Sequence, residues 1–161
     1  SLNYSKQQLC PICRTPIQYN QLITVQEKIN NFSEKLPTKL ENILKIISNN
    51  PTGKYLIFTE FDNTITNILS EFTKNNISYQ KLYGSAGYIN NTIQKYVKGE
   101  INVLLLNAKH FGSGLNLEMT SDVIIYHRMS KDLETQIIGR AQRPGRTTSL
   151  KVHYLCYENE I

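Results

Sequence analysis

Five strand-length segments separated by stretches of helical periodicity set the fold of this chain. Tyr55-Leu56-Ile57-Phe58-Thr59 is a short apolar run suited to a strand buried on both faces. Val103-Leu104-Leu105-Leu106 is a second run and the expected centre of the sheet, and Val123-Ile124-Ile125-Tyr126 is a third. A weaker strand is expected over residues 79–83 and a last one over 150–155. Between them, Leu40, Ile43, Leu44 and Ile47 keep an i, i+3, i+4, i+7 stripe behind a Thr38/Glu41 capping pair. Asn49, Asn50, Pro51 and Gly53 stop that helix. Ile65, Ile68, Leu69 and Phe72 line one side of a second helix, and a third is expected over 90–97. A fourth, capped near Ser130, is expected to run through Arg143 until Pro144-Gly145 ends it. This alternation predicts an α/β fold: a mostly parallel β-sheet with helices on both faces. Ligands of such sheets sit at the carboxyl ends of the strands. Polar motifs follow the third and fourth strands and are expected there.

Charge narrows the partner. The formal net charge is +5, and six basic residues stand against two acidic ones between Arg128 and Lys151. That local excess favours an anion such as a nucleotide or nucleic acid. No apolar run approaches the roughly 18–20 residues needed to span a bilayer, and no signal peptide is expected at the start. Three cysteines, an odd number in a chain expected to be intracellular, argue against a disulfide framework. Enrichment in Asn, Ile, Lys and Tyr fits an AT-rich genome, whether of a large DNA virus, a protist or a low-GC bacterium.

The densest chemistry lies in QIIGRAQRPGR, from Gln136 to Arg146. On a helix, Gln136, Arg140 and Arg143 share one face. Two guanidinium groups on one stripe suit a polyphosphate, because Arg grips phosphate oxygens in pairs and keeps its charge at any working pH. Gly139, at mid-helix, costs about 1 kcal/mol against Ala, which close approach of another body would explain. The pattern QxxGRxxRxGR resembles motif VI of superfamily II helicases and translocases, in particular the Swi/Snf-related branch. The resemblance implies the second, C-terminal RecA-like lobe (the helicase C-terminal domain). It implies that Arg140 and Arg143 reach ATP, with Arg143 as the arginine finger, and that Gln136 and Gly139 belong to the same nucleotide site.

Two further stretches carry the resemblance over residues 36–157. LLNAKHFGSGLNLE, from Leu105 to Glu118, is similar to motif V, a strand followed by a Gly-rich loop. Gly112 and Gly114 free the backbone and expose amides that bind phosphate. Lys109 keeps the positive charge common in that loop, while His110-Phe111 are bulkier than usual. YLIFTEF, from Tyr55 to Phe61, resembles motif IV, with Thr59 and Glu60 at the strand's carboxyl end. Lys109, His110, Gly112, Ser113, Thr59 and Arg146 are the expected nucleic-acid contacts. The form FGSGLNLE is most similar to helicase-like proteins of large DNA viruses.

Cys10-Pro11-Ile12-Cys13 looks like the last ligand pair of a RING finger. Zinc needs four ligands and this turn gives two, so zinc is expected only with an intact RING upstream. Residues 1–30 are thus expected to be a RING tail and linker, and 31–161 the RecA-like lobe. No GxxxxGK[ST] phosphate loop is present. Mg-ATP is therefore expected to be held mainly by an N-terminal RecA-like lobe of the same polypeptide, this chain being inactive alone. The expected activity is an ATP-dependent translocase or helicase on double-stranded DNA, with RNA left open. The chain is expected to be a monomer with no membrane partner, in the nucleus or cytoplasm of a host cell, or in a virion, if viral. The alternatives are a RING-containing ubiquitin ligase of the same family, a transcription-associated DNA- or RNA-dependent ATPase, and a degenerate lobe that only binds.

Overall fold

The structure, a computed structural model, describes residues 37–110, 115–157 and 160. Cys10, Cys13 and the boundary near residue 30 lie outside the described residues, as do Gly112, Ser113 and Gly114. The elements run α1 (Lys39–Asn49), β1 (Tyr55–Thr59), α2 (Asp62–Lys74), β2 (Tyr79–Lys81), α3 (Ala86–Lys98), β3 (Val103–Asn107), β4 (Asp122–Ile125), α4 (Lys131–Ala141) and β5 (Lys151–Tyr154). One 3-10 turn, Ala108–His110, follows β3. The five strands are all parallel, in the order β2-β3-β1-β4-β5. β1 is therefore the centre, and β3, expected there, lies beside it. Both runs are fully buried. Apolar character alone does not rank them; the crossover that carries the chain from β1 past β3 to edge strand β2 does.

Alternation along β1 sorts the core into two layers. Tyr55 and Ile57 face α1 and α2, packing with Ile43, Ile47, Ile65, Ile68 and Phe72. Leu56 and Phe58 face α3 and α4, packing with Tyr96, Ile137 and Ala141. Truncating any of the larger of these side chains to Ala should cost about 2–5 kcal/mol. The Thr38/Glu41 capping box forms as expected. The Tyr55 hydroxyl donates to Asn50 O at 2.7 Å and so fixes the end of α1 to the central strand.

Element ends differ from the sequence reading where a side chain intervenes. Ser85 accepts from Tyr88 N–H and starts α3 four residues early, which shortens β2. At α4, Ser130 is the cap as expected, but the helix stops at Ala141 rather than Arg143. Pro144 disfavours helical geometry at the residue before it. Arg143-Pro144-Gly145-Arg146 instead forms a turn closed by Arg146 N–H to Arg143 O at 3.3 Å. Gly145, at φ +87°, takes the third position, which in a type II turn needs positive φ. At the amino end of β4, Asp122 is buried, paired with His153 Nε2 of β5 at 2.8 Å, and accepts from Ser121 Oγ at 2.6 Å.

Candidate functional site

Because every strand points the same way, the loops after β1, β2, β3 and β4 collect at one end of the sheet. α4 leaves that end and runs back toward the start of β5. Its 11 residues span about 16 Å, so Arg140 and Arg143 lie toward the amino ends of the strands. This corrects the expectation that both polar motifs gather at the carboxyl end. Only the one after β3 does.

At the carboxyl end, Asn107 is the organiser. Its side chain is buried, its Nδ2 donates to Glu60 O at 3.4 Å and Asp62 Oδ1 at 3.3 Å, and its Oδ1 accepts from Lys109 N–H at 3.0 Å. The last bond starts the 3-10 turn that leaves Lys109 and His110 exposed. Asp62 is held below its ordinary pKa by the Asn107 bond first and by the bond and charge of Lys81 next. Thr59, expected to touch nucleic acid, is only 1% exposed. Its Oγ1 lies 3.2 Å from His127 Nε2 and accepts from Phe61 N–H, so it holds the loop from within. His127 Nε2 also accepts from Glu60 N–H at 3.0 Å. That bond requires a lone pair on Nε2 and puts the ring proton on Nδ1, 3.3 Å from Arg128 O.

Two exposed aromatics complete this surface, neither of them among the expected contacts. Phe61 is 55% and Tyr83 59% exposed. Lys109 Nζ lies 5.6 Å from the Phe61 ring and Lys81 Nζ 5.5 Å from the Tyr83 ring. The His127 ring supports Phe61 at 5.1 Å. A recess of about 400 Å³ lined by Lys81, Tyr83, Asn107 and His110 lies beside them. Position was the available signal: Phe61 and Tyr83 each stand two residues beyond the end of a parallel strand.

α4 is anchored where it leaves the carboxyl end, before its polar stripe begins. Buried Glu134 accepts from Met129 N–H at 3.0 Å and pairs with Arg128 Nε at 3.2 Å. Gln136 is exposed, and a Cβ added at Gly139 would meet no heavy atom within 4 Å among the described residues. The Arg140 carbonyl accepts from Leu117 N–H at 3.2 Å. Arg143 lies past the helix end, on the turn, lining a second recess of about 470 Å³ with Gln142 and residues 144–149. Its Nε is buried without a hydrogen-bond partner, and among the described residues it has no ion pair.

Arg146, expected as a nucleic-acid contact, is held by bonds inside the lobe. Its guanidinium donates to Glu118 O at 2.6 Å, Ala141 O at 3.0 Å, Thr148 O at 2.7 Å and Thr120 O. As for metals, no group of three or more His, Cys, Asp or Glu among the described residues is placed to hold one, and Cys156 is buried and free. No described helix is long and apolar enough to cross a membrane.

Comparison with known proteins places the chain in a family. The profile of the helicase conserved C-terminal domain family matches residues 38–145. The chain is 36% identical to the Acanthamoeba polyphaga mimivirus protein R592, named as a helicase, over 94% of this chain and 20% of that protein. It is 25% identical to the DNA repair protein RAD5 of Candida albicans, over 97% of this chain and 18% of that one. The chain thus spans about a fifth of the length of these curated relatives. Among solved structures, the C-terminal part of the Fun30 ATPase domain superposes with a TM-score of 0.67 at 22% identity, covering 76% of this chain and 42% of that one. The extent of the family match, together with the parallel α/β sheet, means that the chain belongs to the helicase conserved C-terminal domain family.

Proposed function

We propose that this lobe is the C-terminal half of an ATP-dependent motor that moves along double-stranded DNA. The reading rests above all on Arg143: a guanidinium with a buried, unpartnered Nε and no acidic partner among the described residues, next to a helix face left open at Gly139. An unsatisfied buried donor costs about 1–3 kcal/mol, so a partner from outside the lobe is favoured. The triphosphate of ATP, with its magnesium ion held by an N-terminal RecA-like lobe, fits that demand in charge and shape. Arg143 acts as the arginine finger, Arg140 as a second phosphate ligand, and Gln136 with Gly139 as the face that meets the other lobe. A cation set against developing γ-phosphate charge is worth ~10³–10⁵ in rate. The sequence has no phosphate loop of its own, so the lobe is silent until the two halves close.

Lys109 and His110, at the opposite end of the sheet, grip the nucleic-acid backbone together with the loop at 111–114. Phosphate contacts are blind to sequence, which makes binding non-specific and salt-sensitive. The naming of the Candida albicans relative as a DNA repair protein favours DNA over RNA. In the two-lobe protein, Arg143→Ala abolishes DNA-stimulated ATP turnover and leaves DNA binding within about threefold, since the finger acts only on the transition state. Normal turnover by that variant would remove the finger assignment, and a comparison of duplex DNA, single-stranded DNA and RNA as stimulants identifies the track.

A further inference from the structure

Arg146 has the geometry of a coupling device, and that role goes beyond gripping ATP or DNA. A guanidinium carries five N–H donors, and four of them here go to backbone carbonyls from three separate segments. Glu118 and Thr120 lie in the stretch after the loop that follows β3. Ala141 is the last residue of α4, and Thr148 leads into β5. The Arg143 turn delivers Arg146 to this position through its own closing bond. Two further bonds reinforce the joint. Leu117 N–H donates to the Arg140 carbonyl, and the Thr120 hydroxyl is 2.9 Å from the hydroxyl of fully buried Tyr96 on α3. The segment 117–120 is thus tied to α4 by backbone and by Arg146, and to α3 by Tyr96.

We propose that Arg146 is a positioning residue that makes the segment following the β3 loop and the Arg143 turn one rigid unit, so that DNA engaged at Lys109 and His110 sets the aim of Arg143. The proposal rests on the motor reading above, because it needs both a nucleic-acid end and a nucleotide end. The argument is one of shape. Four carbonyls aimed from three directions need a planar fork of fixed donors, which a lysine ammonium on a flexible stem does not reproduce. Arg146 therefore acts through where it holds the backbone, and its charge is secondary.

The test uses the two-lobe protein and measures four quantities: Kd for duplex DNA, KM for ATP, and kcat without and with saturating DNA. In Arg146→Gln the stimulation of kcat by DNA falls about tenfold, within the usual 5–150-fold range of coupling between sites, while Kd and KM hold. Arg146→Lys is equally defective, since it keeps the charge and loses the fork. Tyr96→Phe, which frees Thr120 from the other side, loses stimulation in smaller measure and decides the matter if Arg146→Gln does not fold. Full stimulation in Arg146→Gln, or in Tyr96→Phe where that variant decides, overturns the proposal and leaves the motor reading intact. Rescue by Arg146→Lys together with a weakened Kd in Arg146→Gln overturns it too, by making Arg146 a direct phosphate contact. Absence of DNA-stimulated turnover in the unaltered two-lobe protein removes the motor reading itself and this proposal with it.

Discussion

The ammonium of Lys39, in the first turn of α1, pairs with the carboxylate of Glu160 at 2.7 Å and joins the first described helix to the last described residue. Lys39 is 5% exposed, donates to Tyr126 O at 2.9 Å, and lies 4.5 Å from the Tyr157 ring. Removing this buried charged donor takes a hydrogen bond from the Tyr126 carbonyl and leaves Glu160 unpaired. Lys39→Ala is therefore expected to lower unfolding free energy by about 2–3 kcal/mol, and Glu160→Gln, at a more exposed site, by under about 1 kcal/mol. Urea midpoints of the isolated lobe check both, and equal small losses would make the pair decorative.

Gly139 gives opposite signs for stability and activity. Since a Cβ there meets open space, Gly139→Ala should stabilise the isolated lobe by about 0.5–1 kcal/mol through helix propensity. In the two-lobe protein the same methyl is expected to obstruct the proposed closure on this face and to lower ATP turnover. A stabilised variant with normal turnover would show that nothing approaches this face.

Lys109 is expected to act as a phosphate contact. Lys109→Ala weakens duplex binding equally on unrelated sequences and lowers the slope of log K against log salt by about one. An unchanged slope would mean that its ammonium serves only the Phe61 ring.

Acid stability depends on Asp122. Burial pushes its carboxyl up, but the bonds from His153 and Ser121 outweigh that, and the net displacement is below the ordinary 3.8. A carboxyl whose folded pKa is depressed stabilises the fold above its unfolded value and loses that contribution as pH falls through the folded one. Denaturation curves should thus show stability falling below about pH 4, with a shallower fall in Asp122→Asn. Glu160, also held low once Lys39 outweighs its partial burial, adds to the same limb and remains in that variant as the internal control. A fall of unchanged steepness in Asp122→Asn would assign the acid limb to Glu160 and other carboxyls.

The fold was largely legible because its signals are local. Apolar runs marked the strands, and Thr38 and Ser130 marked two helix starts through side chains that bond within three residues. Strand order was not legible, because β1 and β3 are equally apolar. Gln136, Gly139 and Arg140 could be placed on α4 from spacing alone. Arg143 could not, since its departure from the helix follows from Pro144 and from a turn whose last residue bonds to carbonyls more than 20 positions away. The internal partners of Thr59 and Arg146, which are His127 and the carbonyls of Glu118 and Thr120, are hidden from the sequence for the same reason: they are distant in it. Phe61 and Tyr83 could not be singled out before the ends of β1 and β2 were fixed.

A single strand direction throughout gives the lobe a polarity that selection can exploit. On the proposed reading, grip on the track depends on residues where strands finish, and triggering on residues where they begin, one helix length away. Substitutions near Lys109 should yield variants that fire but slip, and substitutions near Arg143 variants that cling but stall. Changes at Arg146 should form a third group, in which both halves work and no longer keep time.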